Sequence, residues 1–120
     1  MFINLSNHPS AEWEQRQIKA AKTYGEITDI PFPRVDPSDT EEEVAKKAAF
    51  MAEKIIALHP DAVMCQGEYA LTYGIVSRLK EAGILTLCAC TERKIEEKAD
   101  AVGRRTKESI FSFVQFRAYR

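Results

Sequence analysis

The sequence predicts a three-layer α/β domain built on a mostly parallel sheet, and three observations support it. Four short apolar runs alternate with three amphipathic stretches in the order βαβαβαβ, the pattern of parallel strands joined by crossover helices. The third run is apolar after its start, as a strand covered on both faces is. At 120 residues, with 45% hydrophobic and 29% charged positions, the chain fits one compact domain, residues 1–120.

Phe2-Ile3-Asn4-Leu5 is the first strand, and it stops at the turn formers Ser6-Asn7-His8-Pro9-Ser10. Ser10 is placed to cap a helix whose apolar side holds Trp13, Ile18, Ala20 and Ala21 and which ends at Tyr24-Gly25. Glu26 to Ile30 is the second strand, closed by Pro31 and Pro33. A loop over 31–39 leads to a helix capped by Asp39 or Thr40, with Glu41, Glu42 and Glu43 in the dipole-favoured first turn. Val44, Ala48, Met51, Ile55 and Leu58 give that helix one apolar stripe, and His59-Pro60 ends it. Asp61 to Cys65 is the third strand and Gln66-Gly67-Glu68 the turn out of it. Tyr69 to Ala82 is the third helix, stopped by Gly83, and Ile84 to Cys90 is the fourth strand.

After the turn Thr91-Glu92-Arg93 the pattern changes. Residues 94–102 fit either a short helix or the first arm of a hairpin turning at Gly103, and the hairpin is preferred because an antiparallel edge strand commonly closes a mostly parallel sheet. Ile110 to Tyr119 is the clearest strand by propensity. The result is a Rossmann-like or flavodoxin-like domain with strand order 2-1-3-4 and a C-terminal antiparallel hairpin or edge strand.

Seventeen basic and eighteen acidic residues give a net charge of −1, which excludes a globally basic nucleic-acid coat, and no direct binding to duplex DNA is expected. Residues 93–120 hold eight basic and four acidic side chains, so an anion is drawn to the C-terminal segment; alternatively, these charges simply guard a sheet edge. Three cysteines are too few for a disulfide scaffold, and the N-terminus lacks a basic leader. No apolar run approaches the roughly 18 residues of a membrane span. A cytoplasmic, membrane-independent domain is expected.

In open α/β sheets ligands lie outside the carboxyl ends of the strands, at the switch in strand order. With order 2-1-3-4 the switch falls between strands one and three, where Asn7, His8, Ser10, Gly67 and Glu68 would meet. His8 offers acid/base chemistry or a phosphate contact, or else only bonds its own turn. Asn7 and Ser10 offer neutral hydrogen bonds, although Ser10 is also explained as a cap. Gly67 permits close backbone approach at a helix start, and Glu68 there is also explained by the dipole. Thr91, Glu92 and Arg93 combine a hydroxyl, a carboxylate and a bidentate cation; Arg34 offers a second guanidinium from the long loop.

No Gly-x-x-x-x-Gly-Lys-Ser/Thr or Gly-x-Gly-x-x-Gly pattern is present, so neither a P-loop nor a dinucleotide coenzyme is expected. Cys65, Cys88 and Cys90 read as small core residues without zinc-site spacing, so no metal site and no cofactor are expected.

The opening Ile3-Asn4-Leu5-Ser6-Asn7-His8-Pro9, the turn Gln66-Gly67-Glu68 with Leu71-Thr72, the turn Thr91-Glu92-Arg93 and the ending Phe113-Val114-Gln115-Phe116-Arg117-Ala118-Tyr119 carry a likeness spanning nearly the whole chain. The sequence resembles small CRISPR-associated proteins with a Rossmann-like fold that accompany type III CRISPR systems. The resemblance implies a relative of CARF-type domains and ring nucleases, antiviral-signalling homodimers that bind a cyclic oligoadenylate, usually cyclic tetraadenylate, across a two-fold axis. A two-fold ring suits an isologous dimer whose loops each grip half of it. The resemblance further implies slow, metal-independent cleavage by attack of a ribose 2′-hydroxyl on its neighbouring phosphate. Arg93 would hold the phosphate, His8 would move the proton and Asn7 would orient the ring. Ser10, Arg34, Gly67, Glu68, Thr91 and Glu92 would complete the ligand face. The candidate loops hold no Lys, which leaves open a protein that sequesters the messenger without turning it over. A third reading is an interaction protein that uses the strand Phe111 to Tyr119; an exposed Phe/Arg row favours it, and burial of those aromatics against the second or third helix opposes it.

Overall fold

The computed structural model describes residues 1–120. Strand β1 (Phe2–Ser6) has all five residues buried and is an inner strand, second from the edge, of a five-stranded sheet of order β2-β1-β3-β4-β5. It pairs in parallel with β2 (Ile27–Pro31) on one side and β3 (Ala62–Cys65) on the other, and β3 pairs in parallel with β4 (Thr86–Ala99). Strand β5 (Arg105–Ala118) closes the sheet antiparallel to β4. The expected fold class, strand order and C-terminal hairpin are therefore present.

The two sheet faces carry different cores. Alternation along β1 and β3 sends Ile3, Leu5, Val63 and Cys65 toward helices α2 (Glu41–Ala57) and α3 (Tyr69–Glu81), where they meet Ala48, Ile55, Leu71, Ile75 and Leu79. Phe2, Ala62, Met64 and Leu87 face the single helix α1 (Gln15–Lys22) and join Ala21. The α1 face is the thinner layer, completed by an aromatic cluster in which Phe2 meets Trp13, Tyr24 and Phe116 at centroid distances of 6.3, 6.0 and 5.3 Å.

Thr40 caps α2 in a reciprocal box with Glu43, which settles the choice between Asp39 and Thr40. Ser10 is not a helix cap. It begins a three-residue 3-10 turn, Ser10–Glu12, and α1 starts only at Gln15 behind Glu14. The reason is tertiary: Asp29, in the middle of β2, takes both the Ser10 N–H and its hydroxyl, the latter at 2.9 Å.

Thr91-Glu92-Arg93 is not a turn. β4 runs through it without a break to Ala99, because β5 supplies ladder partners all the way from Leu87↔Ala118 to Ala99↔Arg105, with one bulge at Cys90/Thr91 opposite Val114. At the other end of β4, Ile84 and Leu85 precede the strand. Residues 94–102 therefore form the hairpin arm and not a helix. The arm turns over 100–104, where the Asp100 carboxylate accepts from the Val102 and Arg104 N–H groups and Gly103 takes φ +83°. Of the cysteines, Cys65 is buried, while Cys88 and Cys90 on β4 are only half-buried.

No helix is long and apolar enough to cross a membrane.

Candidate functional site

A polar network ties down the loop after β1. The buried Asn4 amide donates to the Asp29 carboxylate at 2.8 Å and to the His8 carbonyl at 2.9 Å, and its oxygen accepts from the Ser6 hydroxyl at 2.7 Å. Trp13 Nε1 also donates to the His8 carbonyl, at 3.1 Å. The backbone of His8 is thus fixed by neighbours, while its imidazole stays exposed.

This loop forms one wall of a cavity of about 510 Å³ on the α1 face, at the carboxyl ends of β1 and β3 and beside the first half of β4. Ser6 and His8 line it from the loop, Glu12 and Trp13 from the 3-10 turn, and Glu14 and Gln17 from α1. Met64 and Gln66 line it from the end of β3 and the residue after it, Ala89 and Thr91 from within β4, and Phe111 and Phe113 from β5. The gap exists because β3 and β4 pair only as far as Met64 and Leu87. Beyond that point the Gln66 side chain bridges the strands, its oxygen accepting from the Ala89 N–H at 2.5 Å. Across the cavity the Glu14 carboxylate accepts from the Phe113 N–H beside the β-bulge, at 3.3 Å, and so joins α1 to the root of the hairpin.

Of the residues the sequence nominated, the structure brings His8 and Thr91 into this cavity. Arg93 follows Thr91 by two on the same strand face, opposite Phe111, and stands just outside the lining with its guanidinium on Ser109 Oγ at 2.8 and 3.1 Å. Asn7 is exposed in the adjoining loop, and Ser10 is spent on Asp29. Glu92 is on the alternate face of the arm, opposite Ser112.

Arg34, Gly67 and Glu68 are not part of this cavity. Gly67 serves packing: a Cβ built there would stand within about 2.5 Å of the Phe32 ring. Glu68 caps α3, its two oxygens accepting from the Ala70 and Leu71 N–H groups at 2.9 and 2.8 Å. A carboxylate of the chain itself thus occupies the α3 N-terminus, where an anion cradle was expected. Arg34 is exposed, 3.9 Å from Asp36. A second cavity, of about 580 Å³, lies between the 35–39 loop, α2 and α3, but Asp36, Asp39, Glu41 and Glu68 line it against a single cation, Arg78, which makes it a poor host for an anion.

Sequence reasoning missed Trp13, Gln17, Gln66, Phe111 and Phe113 as cavity residues, having read Trp13 and Gln17 as helix, Gln66 as turn, and Phe111 and Phe113 as residues of the C-terminal strand. Only Gln66 carried a signal, its place directly after β3 beside the switch in strand order. On the opposite face, burial pushes the Cys65 thiol up to about 12, and Tyr119, whose hydroxyl donates to the Cys65 carbonyl at 2.7 Å, is raised to about 12 by the same cause.

A family model described as "Uncharacterized protein MJ1673 family" matches residues 1–117. The chain belongs to the MJ1673 family. The match takes in every strand and helix that lines the cavity. No curated protein matches the chain.

Proposed function

We propose that this member of the MJ1673 family binds a cyclic oligoadenylate, cyclic tetraadenylate by preference, as a homodimer in type III CRISPR antiviral signalling. An adenine enters the α1-face cavity of each copy, and the ring phosphates lie at the rim beside Arg93. The cavity carries this reading. It sits where the strand order switches, its volume suits a nucleoside-sized ligand, and it combines aromatic faces at Trp13, Phe111 and Phe113 with the amides of Gln17 and Gln66. Aromatic faces stack on bases and amides read base edges. The cavity is too small for a whole ring of four nucleotides, so such a ring would lie across the mouth and engage a second copy.

Slow, metal-independent cleavage at the same site is the second half of the reading, and His8 favours it. Its exposed imidazole stands on a braced backbone at the cavity wall, where a proton must be moved between a 2′-hydroxyl and a leaving oxygen. Two features weigh toward binding over turnover: the lining holds no Lys or Arg, and Glu12 and Glu14 place carboxylates where a developing phosphorane charge would need cations.

The interaction-protein reading receives divided support. Phe113 and Phe116 are packed inward, Phe116 against Phe2 and Trp13 on the α1 side and not against α2 or α3, whereas Phe111 is 63% exposed.

The deciding experiment incubates the protein with cyclic tetraadenylate in EDTA and follows bound ligand and products by chromatography over single and multiple turnovers. Linear fragments ending in cyclic phosphate identify a ring nuclease, and tight binding without products identifies a messenger sponge. Absence of binding overturns the proposal.

A further inference from the structure

The hairpin arm is more exposed than a free chain of this size accounts for. A compact monomer of 13.6 kDa has a solvent-accessible surface of about 6,600 Å², whereas this chain has 8162 Å². Its radius of gyration is 17.1 Å, against about 14 Å for a compact domain of this length. The excess comes from residues 92–112, which project beyond the sheet as a two-stranded ribbon whose residues are exposed on both faces up to Ser112. A ribbon of two strands has little stability of its own in water. This one nevertheless keeps unbroken register from Thr91↔Phe113 to Ala99↔Arg105 and carries Ile95 and Phe111, each 63% exposed, on the cavity side.

We infer that this ribbon is a dimerisation arm, and that its Ile95/Phe111 face packs against the same face of a second copy, so that the distal half of each arm covers the mouth of the other copy's cavity. The area supports a second copy as the occupant. The excess of about 1,600 Å² per chain is twice the roughly 800 Å² per partner of a standard interface and falls in the range of obligate homodimers. A self-complementary face is also what a two-fold pair requires.

Charge fixes the direction of overlap. The cavity lining holds Glu12 and Glu14 and no Lys or Arg. The cavity-side face of the distal arm holds Arg105 and Lys107, opposite Ala99 and Glu97. Arg105 shares Glu97 at 3.7 Å, and Lys107 has no ion pair within its own chain. Two arms crossing head to tail bring the partner's Lys107 over Glu12 and supply the cavity mouth with the cation it lacks. The inference deepens the proposed function by naming the surface that forms the dimer and completes the site. The surface argument itself uses no ligand.

Sedimentation velocity on the full chain without nucleotide tests it. The wild-type chain is expected to be a dimer, and Phe111→Asp, at an exposed position, is expected to weaken the dimer about thirtyfold or more, as loss of a central aromatic anchor does. Lys107→Glu is expected to weaken it as well, and adding Glu12→Lys to restore it. A wild-type monomer at about 100 µM, well above the Kd of an interface this large, would overturn the inference. So would a Phe111→Asp dimer of unchanged affinity. If Phe111→Asp does not fold, hydrogen exchange on the wild type decides: arm amides over 92–99 and 105–112 protected at high concentration and released on dilution support the arm, and fast exchange at both concentrations refutes it. Because nucleotide is absent, a monomer here overturns the arm without testing entry of an adenine into the cavity, and a dimer that ignores cyclic tetraadenylate would count against the ligand alone.

Discussion

Gly67 separates the packing account from the ligand account most cleanly. A methyl added there lands about 2.5 Å from three carbons of the Phe32 ring, and Phe32 is 7% exposed in the core shared by α2 and α3. A ring held on all sides moves only by displacing its neighbours, so Gly67→Ala should cost about 1–3 kcal/mol, the usual range for overpacking. With a urea m-value of about 1–3 kcal/mol/M for a small domain, that is a midpoint shift on the order of 1 M. Phe32→Ala alone should cost about 3–5 kcal/mol through the cavity it leaves. In the double variant the new methyl occupies part of that space, so the combined loss should fall short of the sum by about 0.5–3 kcal/mol. Urea unfolding of the four proteins completes the cycle. Additive losses would refute the packing argument, and a Gly67→Ala variant of wild-type stability that no longer binds cyclic tetraadenylate would return Gly67 to the ligand.

Other perturbations test separate parts of the structure. Thr40→Ala removes the α2 capping box and should cost about 0.5–2 kcal/mol, read by thermal or urea unfolding. Arg93→Ala should weaken cyclic tetraadenylate binding by more than about 1 kcal/mol and flatten its salt dependence, whereas Arg34→Ala, remote from the cavity, should leave the affinity unchanged. The folded-state Cys65 thiol is raised to about 12 from 9.0 and Tyr119 to about 12 from 10.0, so the unfolded chain gives up these protons first. The stability these two groups contribute should therefore be constant below about pH 9 and be lost between about 9 and 12, and thiol titration at pH 8 should leave Cys65 unmodified until the protein unfolds.

What the sequence discloses depends on whether a local rule or a distant partner decides each element. Helices α2 and α3 and the strands β1 and β3 follow from apolar spacing and caps, because each has a face committed to the core. Ser10 fits every local rule for a helix cap, but Asp29, nineteen residues on, competes for the same N–H and hydroxyl and wins. β4 beyond Cys90 has water on both faces, so nothing forces its side chains to alternate, and only the ladder to β5 reveals a strand through Thr91-Glu92-Arg93. The cavity is still less local. It is the space left where β3 and β4 part, roofed by an eight-residue helix and the root of a hairpin, and no stretch of sequence contains it. His8 was legible as its residue because position after a strand's carboxyl end is a topological fact, and Thr91 because the parallel part of β4 ends near it; Trp13, Phe111 and Phe113 look identical to core aromatics until the arm is in place.

His8 offers the sharpest test of turnover, because the structure separates its backbone from its side chain. The carbonyl receives hydrogen bonds from Asn4 and Trp13, and the N–H donates to Ser6 Oγ at 3.2 Å, so the loop is held without the imidazole. His8→Ala should accordingly change stability by no more than about 0.5 kcal/mol, as for other exposed positions. A general acid or base contributes about 10²–10⁴-fold, so single-turnover cleavage of cyclic tetraadenylate by His8→Ala should drop by that factor while the dissociation constant stays within a few-fold. An unchanged cleavage rate would remove His8 from the chemistry and leave only orientation of the ring to drive it. A parallel loss of binding and cleavage would make the imidazole a ligand contact. The only acidic or basic side chains left lining the cavity would then be Glu12 and Glu14, an environment that can hold a base but has no cation to stabilise a phosphorane, and the protein would act by holding the messenger.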